Sequence, residues 1–107
     1  YSGFHPAVLR VLDDIYYKTR HSGMDVSVCG ELAGTPSGAL ILIALGYRQL
    51  SISPSHVPYI RYLCKKLDKY MLGTVRRDIL NIKKKSDIER YLIEALETVD
   101  PALIEFE

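Results

Sequence analysis

The spacing of apolar and polar positions predicts that helices and strands alternate along the first half of the chain. Residues 5–23 have apolar side chains at helical spacing and charged side chains on the opposite face. The apolar positions are Val8, Leu9, Leu12, Ile15, Tyr16 and Thr19, and the outward ones are Arg10, Asp14 and Lys18. Pro6 is expected at the first helical position, and Gly23 is expected as a left-handed C-cap. These signals predict a first helix.

Two short segments, residues 25–29 and 49–53, alternate apolar with small side chains, which predicts strands. The alternation puts Val26, Val28, Leu50 and Ile52 on one face, and Ser27, Cys29, Ser51 and Ser53 on the other. Between them, residues 36–46 are apolar almost throughout, with Thr35 as the expected N-cap, Pro36 in the first turn and Gly46 at the end. We therefore expect parallel strands joined by a right-handed crossover through a helix that is buried on more than one side.

The second half of the chain is predicted to be helical. A third helix after Ser55 carries Ile60, Leu63, Cys64, Leu67 and Met71 on its apolar face, and the next carries Val75, Ile79 and Ile82. The last helix carries Ile88, Leu92, Ala95 and Val99, with Ser86 and Glu89 as its expected capping box, and Asp100 and Pro101 end it and start one more turn. Because the sequence becomes more charged after Gly73, we divide the chain into residues 1–72 and residues 73–107.

Composition is that of a small soluble globular protein. The 107 residues are 48% apolar and 25% charged, which argues against disorder, and the formal charge of +1 gives no reason to expect binding to nucleic acid or to an anionic membrane. The apolar run at residues 39–45 is too short to cross a bilayer. Cys29 and Cys64 are too few for a disulfide framework, so we expect a cytoplasmic location.

The chain is expected to be a fragment of a longer protein. It begins at Tyr1 without a methionine, and two parallel strands alone would leave both sheet edges unpaired. The missing strands would come from residues before Tyr1 or from a second copy of the chain. Two classes of function are therefore open: a fragment of an enzyme, or a non-catalytic, self-associating α/β interaction module whose strands form a dimer seam.

Four sequence blocks favour the enzyme. The blocks HPAVLR, VSVCGELAG, LGYRQLSISP and VPYIRYL, between His5 and Leu67, resemble in order and spacing the end of the phosphoenolpyruvate-binding barrel of Enzyme I of the bacterial phosphotransferase system. The VSVCGELAG block is most similar to the nitrogen-related branch. The resemblance implies an α/β fold, namely the last two βα units of a (βα)8 TIM-type barrel at residues 1–72, followed by a helical C-terminal extension at residues 73–107.

The same resemblance implies a function for the longer protein. Enzyme I is a phosphoenolpyruvate-protein phosphotransferase that moves a phosphoryl group from phosphoenolpyruvate to its own histidine and then to a small phosphocarrier protein. It uses magnesium and forms a homodimer. Its substrate-binding arginines, metal-binding carboxylates and phosphorylated histidine belong to segments before Tyr1, and His5, His21 and His56 match none of them. We therefore expect the fragment alone to bind no metal and to be inactive.

Cys29 is the catalytic residue that the resemblance implies for this part of the chain. After the phosphoryl group leaves, the enolate of pyruvate needs a proton on its methylene carbon, and a thiol with an ordinary pKa of about 8.5 is protonated at neutral pH. Cys29 is expected at the end of its strand, where barrel active sites lie. Gly30, which lets the backbone approach a ligand closely, is a candidate substrate-binding residue.

Other interpretations of these residues are open. Without the resemblance, Cys29 could be a small buried apolar residue, or it could form a nucleophilic pair with His56. Gly30, Gly34 and Gly38 could form a phosphate cradle, although the lysine of a P-loop is absent. The remaining candidates are expected to be structural: Cys64 in the core, Glu31 organising its loop, Ser27, Ser51 and Ser53 in packing, with Ser53 also a candidate ligand, His56 exposed or capping, and residues 83–85 at a solvated helix end.

Overall fold

The structure is a computed structural model that describes residues 4–24, 26–29 and 31–107, with the backbone alone for Cys29 and Glu31. These residues form the helices α1 (Pro6–Thr19), α2 (Pro36–Leu45), α3 (Val57–Lys66), α4 (Lys69–Asn81) and α5 (Lys85–Val99), and the strands β1 (Ser27–Cys29) and β2 (Gln49–Ser51). Short 3-10 helices occur at Glu31–Gly34, Pro54–His56 and Pro101–Phe106. The described chain is thus mostly helical, with one small sheet.

The two strands are parallel, as predicted. Val28 lies opposite Leu50 and Cys29 lies opposite Ser51, and α2 connects the strands. Val28 and Leu50 pack against the core whereas Ser27 and Ser51 are exposed, which confirms the predicted faces at these positions. Both strands are shorter than predicted, and position 25 lies outside the described residues. The assignment to a (βα)8 barrel stays a prediction.

Helix α2 is the centre of the core and has the predicted ends. The Thr35 hydroxyl oxygen accepts a 3.1 Å hydrogen bond from the Gly38 amide, and Pro36 occupies the first helical position. Gly46 ends the helix with a φ of 112°, a conformation that favours glycine. The helix contacts α1, α3, α4 and α5, and its side chains are buried around almost the whole circumference. The predicted burial on more than one side is confirmed.

Helix α1 buries a narrower face than predicted. Leu9 is fully buried and Leu12 packs against the core, but Val8 and Ile15 are 38% and 40% exposed. The prediction was wrong for these two, because the many apolar positions of this helix do not indicate which face meets the core. Val11, at 56%, is more exposed still. This helix therefore leaves apolar surface uncovered within the described part of the chain.

The end of α1 also differs from its prediction. The helix ends at Thr19, and its C-cap is Arg20 in right-handed conformation. Gly23 does have the expected left-handed φ of 79°, but it is the last residue of the turn that follows the helix and not the C-cap. The Thr19 hydroxyl donates to the Ile15 carbonyl at 2.7 Å, and the Ser22 hydroxyl donates to the Thr19 carbonyl at 2.7 Å. These side-chain bonds end the helix earlier than the glycine signal indicates.

The predicted third helix is in fact two helices. Helix α3 ends at Lys66, Leu67 is extended, and the Asp68 carboxylate caps α4 by accepting a 2.8 Å hydrogen bond from the Met71 amide. Both Leu67 and Met71 still pack against the core, so the apolar spacing continues across the break. Cys64 is exposed rather than part of the core, contrary to its prediction.

The C-terminal helices pack onto α2 within one core. Helix α4 runs through Gly73, so the boundary placed after residue 72 falls inside a helix, and the division into two domains stays a prediction. Helix α5 begins at Lys85, with Lys84 in the N-cap position. Ser86 therefore lies inside the first turn, and the predicted capping box is wrong. The buried residues of these two helices are Val75, Ile79, Ile88, Leu92 and Leu96.

Candidate functional site

The loops after β1 and β2 meet at the carboxyl ends of the two strands, the edge at which ligands bind in parallel sheets. The imidazole of His56 lies against Gly34, since a Cβ added to this glycine would be 3.2 Å from Nδ1. His56 is exposed and makes no side-chain capping bond to α3. The contact between Gly34 and His56 brings the two loops together.

Cys29 is the last residue of β1, at this edge of the sheet, as predicted. Its backbone lies opposite Ser51, whose side chain is exposed. The proton-donor role of Cys29 and its alternative pairing with His56 both stay predictions. Gly30 lies outside the described residues, so its role in substrate binding stays a prediction as well.

The loop that follows Cys29 packs tightly on the start of α2. A Cβ added to Gly38 would be 1.7 Å from the Leu32 carbonyl oxygen, so this approach is possible only with glycine. Ala33, in the same loop, is fully buried. The loop is therefore fixed against α2 over the residues that the structure describes.

The amides at the start of α2 already have acceptors within the chain. The Gly38 amide donates to the Thr35 hydroxyl oxygen at 3.1 Å, and the Ser37 amide donates to Oε1 of Glu107 at 2.5 Å. A phosphate would have to replace both acceptors, which argues against the phosphate-cradle interpretation. Sequence reasoning missed Glu107, because no local pattern links it to a helix start 70 residues earlier.

Glu107 reaches α2 because residues 100–107, which we call the C-terminal strap, cross the surface of α3. The Asp100 carboxylate begins the strap by accepting a 3.0 Å hydrogen bond from the Ala102 amide, which confirms the predicted last turn. The ring of Phe106 stacks on Tyr59 of α3, with 4.1 Å between ring centroids. Leu103 is fully buried. The strap is thus attached along its length.

A second bond joins the start of the strap to α3. The Tyr62 hydroxyl donates to the Asp100 carboxylate. This hydrogen bond lowers the pKa of the Asp100 carboxyl, and the same bond raises the pKa of the Tyr62 hydroxyl. Both effects mean that the bond favours ionised Asp100 and neutral Tyr62.

The second cysteine lies away from the strand edge. Cys64 borders a cleft of about 320 Å³ together with Ile43, Leu50 and Leu72, and partial burial there raises the pKa of its thiol. A raised pKa makes the thiol less reactive at neutral pH. Nothing in this position suggests catalysis.

The placement of the histidines bears on whether the described residues could hold a metal ion. His5 caps α1 by accepting a 3.1 Å hydrogen bond from the Ala7 amide to Nδ1, and His21 is exposed. Within the described residues, no group of three or more His, Cys, Asp or Glu side chains could hold a metal ion. In the same residues no helix is long and apolar enough to cross a membrane.

Residues 1–69 match the sequence model of the PEP-binding domain of PEP-utilising enzymes, where PEP is phosphoenolpyruvate. The chain belongs to this family. It is 41% identical, over 91 residues, to a phosphoenolpyruvate-protein phosphotransferase of Borreliella burgdorferi, an alignment that covers 85% of the chain and 16% of that protein. It is 34% identical, over 97 residues, to a phosphoenolpyruvate-dependent phosphotransferase system protein of Salmonella typhimurium, covering 91% of the chain and 13% of that protein.

The match confirms the predicted resemblance to the phosphotransferases among the PEP-utilising enzymes. The family match includes α1, both strands, α2 and α3, and therefore the whole edge at which Cys29 lies. The chain spans about one sixth, or less, of the length of these two curated relatives. Membership of the nitrogen-related branch stays a prediction.

Proposed function

We propose that this chain acts within a longer phosphoenolpyruvate-protein phosphotransferase, in which it forms the last two βα units of the substrate-binding barrel. Two of its relatives carry phosphoenolpyruvate-dependent phosphotransfer in their names, and the β-α-β order with parallel strands, which βα barrels share with other parallel α/β folds, supports the proposal. The observation that carries the proposal is the position of Cys29, which ends β1 at the active edge of the sheet within the family match.

In this function Cys29 is the acid that completes the reaction. Departure of the phosphoryl group of phosphoenolpyruvate leaves the enolate of pyruvate. The Cys29 thiol gives its proton to the methylene carbon, so the S–H bond breaks and a C–H bond forms. The products are pyruvate and the Cys29 thiolate, and solvent then reprotonates the thiolate. The exposed hydroxyls of Ser27 and Ser51 on the same face are far weaker acids. Gly30, the next residue in the sequence, is assigned to substrate binding in this proposal.

The remaining parts of the reaction are assigned to the longer protein. It transfers the phosphoryl group to one of its own histidines and then to a small phosphocarrier protein. Magnesium is assigned to metal-binding carboxylates elsewhere in the longer protein, as the family resemblance implies. The reaction takes place in the cytoplasm.

The longer protein is a homodimer in this proposal. The exposed apolar side chains of Val8, Val11 and Ile15 on α1 support association with a second copy of the protein. Sedimentation of the protein with Val11→Asp, compared with Tyr70→Asp on the exposed surface of α4, should show weaker association for the first alone. A wild-type monomer at tens of micromolar would contradict the homodimer.

The decisive experiment compares Cys29→Ala with Cys64→Ala in the full-length protein. Because proton transfer by a positioned group contributes ~10²–10⁴-fold, Cys29→Ala should slow pyruvate formation and the exchange of pyruvate methyl protons with solvent by about that factor. The KM for phosphoenolpyruvate should change much less, and Cys64→Ala should behave as wild type. Wild-type rates in Cys29→Ala would refute the role of Cys29. A wild-type protein without turnover would favour the alternative, a non-catalytic interaction module.

A further inference from the structure

The start of α2 depends on an acceptor from the far end of the chain. Helix starts leave amides without partners inside the helix. Here Pro36 has no amide hydrogen and the Gly38 amide is bound by Thr35, but the Ser37 amide is bound by the Glu107 carboxylate at 2.5 Å. Ser37 is only 2% exposed, so water is a poor substitute for this acceptor. The negative charge of Glu107 also suits the positive end of the helix dipole.

The start of α2 is in turn packed against the loop that leaves Cys29. The Leu32 carbonyl oxygen approaches Gly38 so closely that a Cβ there would lie 1.7 Å away. The first turn of α2 is therefore in direct backbone contact with the Glu31–Gly34 helix. Because close packing transmits displacements, we expect a shift of α2 at Ser37 to reach this loop.

The C-terminal strap holds Glu107 at the point where it is needed. Phe106, the preceding residue, is stacked on Tyr59, and Leu103 is fully buried. The Asp100 carboxylate is bound by the Tyr62 hydroxyl at the other end of the strap. Because these contacts fix the strap on α3, the Glu107 carboxylate is preorganised opposite the Ser37 amide.

We propose that Glu107 is a positioning residue for Cys29: its carboxylate holds the start of α2, and α2 holds the loop that places Cys29 at the edge of the sheet. The catalytic consequence rests on the proposed function, in which Cys29 protonates the enolate. Glu107 itself touches no reacting atom. Its effect therefore appears in the rate of the proton-transfer step and not in substrate affinity.

The first measurement is hydrogen exchange by mass spectrometry on the full-length protein, in peptides that cover residues 32–38. Loss of the Glu107 acceptor should raise exchange there about fivefold or more, the factor expected for one lost buried hydrogen bond. The test variant is Glu107→Ala. Glu107→Gln keeps a carbonyl oxygen as acceptor and should restore most of the protection. Glu105→Ala removes an exposed carboxylate of the same strap and should have no effect.

The second measurement is the rate at which iodoacetamide alkylates Cys29, expressed relative to Cys64 in the same molecule. If Glu107 positions the loop, Glu107→Ala should change this ratio about fivefold, and Glu107→Gln should restore it. The third measurement is turnover of phosphoenolpyruvate. Glu107→Ala should lower kcat and pyruvate methyl exchange about tenfold while KM stays within about twofold.

The outcomes separate this inference from the proposed function. An unchanged alkylation ratio in Glu107→Ala overturns the positioning role, even if exchange at residues 32–38 rises. An unchanged kcat in an otherwise active protein overturns its catalytic consequence. A wild-type protein that does not convert phosphoenolpyruvate refutes the proposed function, whereas hydrogen exchange and alkylation still decide the positioning role. If Glu107→Ala does not fold, Tyr59→Leu, which removes the ring under Phe106, should give the same changes, and wild-type values would overturn the inference.

Discussion

The hydroxyl of Tyr91 on α5 donates a 2.7 Å hydrogen bond to the carboxylate of Asp78 on α4. Partial burial of the ring and this hydrogen bond raise the pKa of Tyr91 above its ordinary value of 10.0. The carboxylate also pairs with the neighbouring Arg77, at 3.3 Å from Nε. The bond between Tyr91 and Asp78 ties the last two α-helices of the described chain to each other.

Replacement of Tyr91 by phenylalanine should therefore destabilise the protein. We expect Tyr91→Phe to lower the free energy of unfolding by about 1 kcal/mol at pH 7, because a partly exposed bond to a charged acceptor is lost. Since the folded-state pKa of Tyr91 is raised, its contribution is fully present below about pH 10 and is lost as the pH rises through the folded-state value. Urea unfolding at pH 7 and pH 11 measures both effects.

Tyr70→Phe is the matched control for Tyr91→Phe. Tyr70 lies on α4, as Asp78 does, but it is 86% exposed, so removal of its hydroxyl should leave the urea midpoint unchanged. Equal midpoints for Tyr91→Phe and wild type at pH 7 would contradict the importance of the bond to Asp78.

Alanine substitutions at Gly38 and Gly73 should change the stability of the protein in opposite directions. A methyl group at Gly38 would collide with the Leu32 carbonyl, so Gly38→Ala should cost about 2–3 kcal/mol of stability. Gly73 lies inside α4, and an added Cβ would meet nothing within 4 Å beyond its chain neighbours and the nearby backbone of its own helix, so Gly73→Ala should stabilise by about 0.5–1 kcal/mol. Thermal unfolding followed by circular dichroism measures the two shifts. Equal melting temperatures for the two variants would show that the loop is not fixed against α2.

Acid should weaken the C-terminal strap. The bond from Tyr62 lowers the folded-state pKa of Asp100, so the contribution of this carboxylate is fully present above its unfolded-state pKa of about 4. It is lost as the pH falls through the folded-state value. Asp100→Asn should remove this part of the acid dependence, and Tyr62→Phe should reduce it. Urea midpoints between pH 2 and pH 6 provide the measurement, and identical acid profiles for wild type and Asp100→Asn would contradict it.

The elements that could be predicted are those whose signals are local. The ends of α2 are marked by Thr35, Pro36 and Gly46, both in the sequence and in the structure. Each of these residues acts on backbone within one helical turn, so its signal is local. The break between α3 and α4 was missed although Asp68 is a good N-cap, since the apolar spacing continues through it. Which face of α1 is buried depends on where the other helices lie, which spacing alone does not determine.

The candidate site likewise has one part that the sequence predicted and one part that it did not. The place of Cys29 at the end of β1 followed from alternation within five residues and from the family resemblance. The role of Glu107 depends on the path of the strap over α3, and this path is set by the packing of Phe106 on Tyr59. A contact across 70 residues leaves no periodic pattern in one sequence.

The burial of α2 on almost every side has a consequence for synthesis on the ribosome. Its covering residues on α4 and α5, such as Val75, Ile79 and Leu92, are translated after it. At typical elongation rates of about 5–20 residues per second, the residues between the end of α2 and Leu92 take about 2–9 s to appear. During this interval α1 and β1 are the elements of the described chain that precede this largely apolar helix. The apolar surface of α2 that α4 and α5 later bury is therefore uncovered by them for these seconds, and such surface favours aggregation and chaperone binding.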